Sequence, residues 1–123
     1  MIALRDIDPD TPFLSQLTER GEGPVTIVNT FLAPDGQLDA VVEAWRQDSV
    51  VMKAKPGFVS AQLYQGIVGS HVLVNVAVWE STEALAAAFA STEFQELLAV
   101  YPDGSKSYPH LVRPTAVAGV CVA

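Results

Sequence analysis

Asn75 and Trp79 sit four residues apart in a run, His71 to Ser81, whose side chains alternate with period two. An amide can donate to a developing oxyanion. An indole can stack on a flat ring and donate its N–H. Together they suit an electron-rich aromatic ligand. His71, at the head of the run, adds an imidazole whose ordinary pKa of ~6.5 fits a general base near neutrality. It stands ~13 Å along the strand from Asn75, a long reach for one small substrate. A second amide, Asn29, lies in an earlier β-branched stretch and could face the same side. A buried amide left unpaired costs ~1–3 kcal/mol, so the two must bond each other, nearby backbone or a ligand. Tyr64, and Tyr101, Tyr108 and His110 further on, complete the neutral polar and aromatic candidates.

The alternation itself specifies a β-strand. Val72, Val74, Val76 and Val78 share one face, read as core. His71, Leu73, Asn75, Ala77 and Trp79 share the other, read as a pocket wall: apolar, with a few placed hydrogen-bonding groups. Ser81 then caps a helix with Glu83 in its first turn. Leu85, Ala88 and Phe89 share one side of that helix, where Leu85 and Phe89 would contact a substrate. Thr92-Glu-Phe-Gln95 fits a capping box and starts a further helical turn to about Val100.

Upstream, Val25 to Leu32 is a first strand and Ala33 to Gly36 a turn in which Asp35 can cap the next helix. Leu38, Val41, Val42, Trp45 and Met52 recur there at helical spacing. Lys55-Pro-Gly57 stops the helix, Phe58 to Gln65 is a second strand, and Gly66 to Ser70 turns a hairpin. Residues 101–114, with three prolines, read as a loop, and Thr115 to Ala123 as the last strand. The order β-α-β-β-α-β is the split βαβ, or ferredoxin-like, α+β arrangement, with an antiparallel sheet ordered 4-1-3-2. Residues 1–23, rich in Asp and Pro, form an N-terminal extension to one domain over 24–123. Helices would cover one sheet face only, and neither face of the third strand carries charge, so a homodimer is expected to close the other face.

The chain has 123 residues, half of them hydrophobic, and a net charge of −7. Such an acidic surface argues against nucleic acid and anionic membranes as partners. No apolar run reaches the ~20 residues of a membrane span. The first residues lack the basic head and apolar stretch of a signal peptide, so a soluble, cytoplasmic protein is expected. One cysteine, Cys121, excludes internal disulfides and is expected to be a small buried hydrophobe.

Standard catalytic machinery is missing: there is no His-Glu-x-x-His, phosphate-binding glycine loop, dinucleotide fingerprint or nucleophile elbow. Two histidines in separate segments do not make a metal site. Asp39, Glu43, Arg46 and Asp48 read as a solvated helix face.

Pro56-Gly-Phe58-Val-Ser60, then Val74-Asn75-Val-Ala-Val-Trp79-Glu-Ser81 and Glu83-Ala-Leu, resembles the antibiotic biosynthesis monooxygenase family over about residues 25–122. The resemblance implies a dimeric ferredoxin-like α/β barrel. Its actinorhodin-type anthrone oxygenases line their pocket with an Asn and a Trp four residues apart, which Asn75 and Trp79 match. The Tyr and Arg also used there fall at Leu85 and near Ala99. Its haem-degrading branch uses an Asn matched by Asn29, but its Trp and His fall at Ala88 and Leu98, so the haem ligand is missing.

The resemblance therefore implies a monooxygenase with no cofactor and no metal, oxidising an anthrone or phenol to a quinone with O2. Asn75 and Trp79 would be catalytic. Asn29, Tyr64, His71, Leu85 and Phe89 would bind substrate. The alternatives are a non-catalytic dimer that binds a small hydrophobic ligand, and an O2-independent isomerase or cyclase on the same fold.

Overall fold

The computed structural model describes residues 1–122. Five strands form one mixed sheet: β1 (Ala3–Leu4), β2 (Val25–Leu32), β3 (Phe58–Gln65), β4 (Val72–Trp79) and β5 (Lys106–Val112). Their order is β1-β5-β2-β4-β3. The last four reproduce the expected 4-1-3-2 order, all antiparallel. The short β1 adds a parallel edge beside β5. The helices are α1 (Phe13–Gln16), α2 (Leu38–Lys53), α3 (Thr82–Phe89) and α4 (Thr92–Leu97), the last followed by a 3-10 turn over Leu98–Val100. The fold is α+β and ferredoxin-like.

The last strand differs from expectation. It is Lys106–Val112, inside the stretch read as a loop, and Thr115 to Val122 lies off the sheet, with only an isolated Val117–Cys121 bridge. Ala123 lies outside the described residues. Pro109 argues against a strand because proline cannot donate to a ladder. It faces Asn29 on β2, while β1 pairs only with Lys106 and Ser107, so nothing asks for its missing N–H on the outer side. Cys121 is exposed, not buried, since the tail carrying it leaves the core.

The valine face of β4, expected to be core, is not the buried one, whereas the face expected to wall a pocket does so. Leu73, Ala77 and Trp79 are the buried residues of β4, and its four valines are half-buried on the face without helices. β2 agrees: Val25, Ile27 and Phe31 point into the helical side. Alternation separates two faces without saying which is inward. Here the aromatic and bulky residues face the helices, where full burial of a side chain such as Leu85 stabilises by roughly 1.5–3 kcal/mol.

The helix starts follow local chemistry. The Ser81 hydroxyl accepts from Ala84 N–H at 3.1 Å. Ser91, one residue ahead of the expected box, accepts from Phe94 N–H at 3.4 Å. Gln37 heads α2 without a side-chain cap, so Asp35 does not take that role. Pro56-Gly57-Phe58 and Trp79-Glu-Ser81 meet in space. Glu80 N–H donates to the Gly57 carbonyl at 2.8 Å, and Phe58 sits edge-on to Trp79, with centroids 5.5 Å apart. Gly57 has φ +89°, and a Cβ on it would lie 2.4 Å from the Ala84 Cβ. The two sequence signatures are the two sides of one joint under α3.

Candidate active site

Asn29 and Asn75 are direct cross-strand neighbours on β2 and β4. In the same row, Pro109 flanks Asn29 on β5 and Leu63 flanks Asn75 on β3. Neither flank brings a side-chain polar group. Both Asn Oδ1 atoms are accordingly buried with no hydrogen-bond partner among the described residues. They open into an apolar cavity of about 80 Å³ between sheet and helices. Trp79 and Ala77 continue its floor, and α3 and α4 wall it with Leu85, Phe89 and Phe94. Trp79 and Leu85 are each 1% exposed.

α2 supplies another wall through Trp45, Asp48, Ser49 and Met52, at positions i, i+3, i+4 and i+7. Trp45 Nε1 is a buried donor without an acceptor among the described residues. Asp48 is 6% exposed, so it does not belong to a solvated face. Its Oδ2 accepts from Tyr101 Oη at 2.5 Å, and its Oδ1 from the Ser49 hydroxyl at 3.3 Å. Burial pushes the Asp48 carboxyl up to about 6, against the pull of those two hydrogen bonds. Burial and the neighbouring Asp48 charge push the Tyr101 hydroxyl up as well. Tyr101 is fixed from behind by stacking on Phe31, with centroids 5.9 Å apart and planes at 8°. The signal for Asp48 was present in the sequence: it falls on the apolar stripe of Val41, Trp45 and Met52.

The N-terminal segment closes the cavity. Ile2, Leu4 and Phe13 line it. The Gln16 carboxamide clips α1 to β5: its Oε1 accepts from Leu111 N–H at 2.8 Å, and its Nε2 lies 3.1 Å from His110 Nδ1. Glu19 accepts from Thr82 Oγ1 at 3.1 Å and pairs with Arg113 at 2.5 Å. The Arg113 hydrogen bond is the main force holding the Glu19 carboxyl down at about 2.

Of the residues singled out from sequence, the cavity gathers Asn29, Asn75, Trp79, Leu85 and Phe89. It does not include Tyr64 or His71. Tyr64 pairs with Val74 on the helix-free face and is 56% exposed. His71 precedes β4 and faces outward, its Nδ1 3.4 Å from Asp35. Tyr108 and His110 also fall outside the cavity lining, whereas Tyr101 joins it. Ala99 is exposed and has no part in the cavity. Sequence reasoning gave no site role to Asp48, Trp45 or the N-terminal wall.

The family profile for antibiotic biosynthesis monooxygenases matches residues 24–100, more than half of the chain. Among solved structures, a candidate monooxygenase from Shewanella loihica PV-4 is 31% identical, with TM-score 0.68, covering 80% of this chain and 100% of its own. SnoaB, a cofactor-independent oxygenase from Streptomyces nogalater, has TM-score 0.71 at 24% identity, covering 79% of this chain and 98% of its own. No curated protein matches the chain by sequence. Residues 1–23, which supply one wall of the cavity, lie outside the profile match. The profile match, together with the relative from Shewanella loihica, places this chain in the antibiotic biosynthesis monooxygenase family.

Proposed function

We propose that the protein is a cofactor-independent monooxygenase that oxidises an anthrone-like or phenolic ring to a quinone with O2. The observation that carries this reading is the pair of adjacent amides, Asn29 and Asn75, whose Oδ1 atoms are buried beside an apolar cavity and lack partners among the described residues. Each orphaned oxygen costs ~1–3 kcal/mol until a donor arrives. Hydroxyl groups of a polyphenolic ring are such donors. Trp79 offers an aromatic surface for the ring, and the free N–H of Trp45 an anchor for a keto or peroxide oxygen. SnoaB, which this chain resembles in fold, is a cofactor-independent oxygenase, in keeping with the oxygenase part of this reading.

The cavity is small beside the roughly 300–1,000 Å³ of typical ligand sites, so a multi-ring substrate enters by moving a wall. The segment carrying Phe13 is the natural one, because it is held to the core by side-chain clips. A homodimer is part of the reading: Val72, Val74, Val76 and Val78 make a half-exposed apolar stripe on the helix-free face, of the kind a second subunit buries.

The test is oxygen uptake by the purified protein with a panel of anthrones and naphthols. Uptake above the uncatalysed rate, lost in Asn75→Ala, is the expected result. No uptake with any ring substrate, from a protein that still binds them, would overturn the reading. Leu85, buried at the cavity where the anthrone oxygenases carry a Tyr, favours the second reading: an O2-independent isomerase or a ligand-binding dimer. Product analysis without O2 separates those two.

A further inference from the structure

We propose that Asp48 is the general base of this site, removing the acidic C–H or O–H proton of the ring substrate, with Tyr101 as its positioning residue. The oxygenase reading is needed only to say which substrate class carries the proton.

Among the residues lining the cavity, Asp48 and Tyr101 are the only titratable ones. Both histidines lie elsewhere. Asp48 enters no ion pair among the described residues, so its charge is uncompensated by any cation. A peg that merely tied α2 to the end of the 3-10 turn could use a neutral acceptor for the Tyr101 hydroxyl at far lower desolvation cost. Ionising a carboxylate here is expensive, which is the condition that makes it a good proton acceptor near neutrality. Its hydrogen-bond partners among the described residues are Tyr101, which fixes Oδ2, and Ser49 on its own helix. Oδ1, approached only by the Ser49 hydroxyl, is the atom left to carry the proton.

With anthrone the step balances. The carboxylate takes one methylene proton, and the C–H electron pair delocalises onto the keto oxygen as an enolate. The carbanion carbon gives two electrons to O2 and bonds to it as a peroxide anion, which recovers the proton from Asp48. Asp48 then takes the second methylene proton as the new C=O forms. The O–O bond breaks, and that proton leaves with the departing hydroxide as water. The sum is anthrone plus O2 giving anthraquinone plus water. The carbon loses four electrons and dioxygen gains them.

The test separates proton removal from oxygen chemistry. Anthrone is incubated without O2 in deuterated buffer, and methylene exchange is followed by NMR, beside oxygen uptake in air. The wild-type protein is expected to exchange anthrone above the buffer rate, and Asp48→Asn to slow both exchange and uptake by ~10²–10⁴-fold. Tyr101→Phe is expected to retain exchange but shift its rise with pH upward, because the lost hydrogen bond favoured the carboxylate. A merely structural Tyr101 would leave that profile in place. Exchange or uptake undiminished in folded Asp48→Asn, or no exchange by the wild type, overturns the assignment of the base. Exchange that depends on Asp48 without any oxygen uptake supports the base and overturns the oxygenase reading instead.

Discussion

The ring of Phe13 meets the ring of Phe89 edge-on, with centroids 5.4 Å apart and planes at 77°, joining the N-terminal segment to α3 across one end of the cavity. Phe13 is 2% exposed. Replacing it with alanine removes a core aromatic, which costs ~3–5 kcal/mol. It also opens the wall. Phe13→Ala is expected to melt well below the wild type in calorimetry, yet to gain affinity for three-ring over two-ring ligands in a dye-displacement titration. An unchanged melting temperature would mean that the segment is undocked in solution.

Gly57 gives a sharper geometric test. Gly57→Ala combines a left-handed φ with a Cβ placed 2.4 Å from that of Ala84, whereas Gly36→Ala meets the same backbone problem, at φ +72°, in open space. Left-handed strain costs of order 1–3 kcal/mol in both. The excess loss in Gly57→Ala, read by urea denaturation, measures the contact that seats α3 against the strand junction. Equal losses would remove that contact from the account of the Pro-Gly-Phe signature.

Asp48 ties stability to pH. Its carboxyl titrates at about 6 in the fold against an ordinary value of 3.8. Within that window the folded state holds the extra proton, so stability falls as pH rises through it. The accumulated loss is about 3 kcal/mol above pH 6. Asp48→Asn keeps an acceptor for Tyr101 and carries no charge. It is expected to be more stable than the wild type at pH 7 and no more stable at pH 4. Parallel stability curves for the two proteins across pH 4–7 would refute the buried, unpaired carboxylate. A gain in stability accompanied by lost activity is the pattern expected where a group is kept for its chemistry.

Much of the site was legible because β-alternation is a strong signal. Asn75 and Trp79 were assigned to one wall from spacing alone, and Asn29 was placed beside them by the sheet order. The inward direction was not legible. Valine marks a strand without marking its buried side, and Trp79 with Leu73 was the better indicator. Asp48 was hidden by residue type: its charge outweighed a position that the helical period already placed among Val41, Trp45 and Met52. The last strand was hidden twice, by Pro109 within it and by the valine-rich tail after it. His71 continued the alternation on paper, but the strand begins only at Val72.

The pairing of β1 with β5 joins Ala3 to Lys106 and Leu4 to Ser107, and the Met1 ammonium reaches the Tyr101 carbonyl at 3.2 Å. These are contacts of very high sequence separation, the kind that slows folding because a long loop must close before they form. During synthesis β1 emerges about a hundred residues before the strand it pairs with. The helices over the sheet, and the β2–β4 ladder with its two amides, can assemble earlier. The cavity is therefore the final part of the molecule to take shape, and a nascent chain stalled before Lys106 would hold the amide pair in place beside an N-terminal wall that has not yet docked.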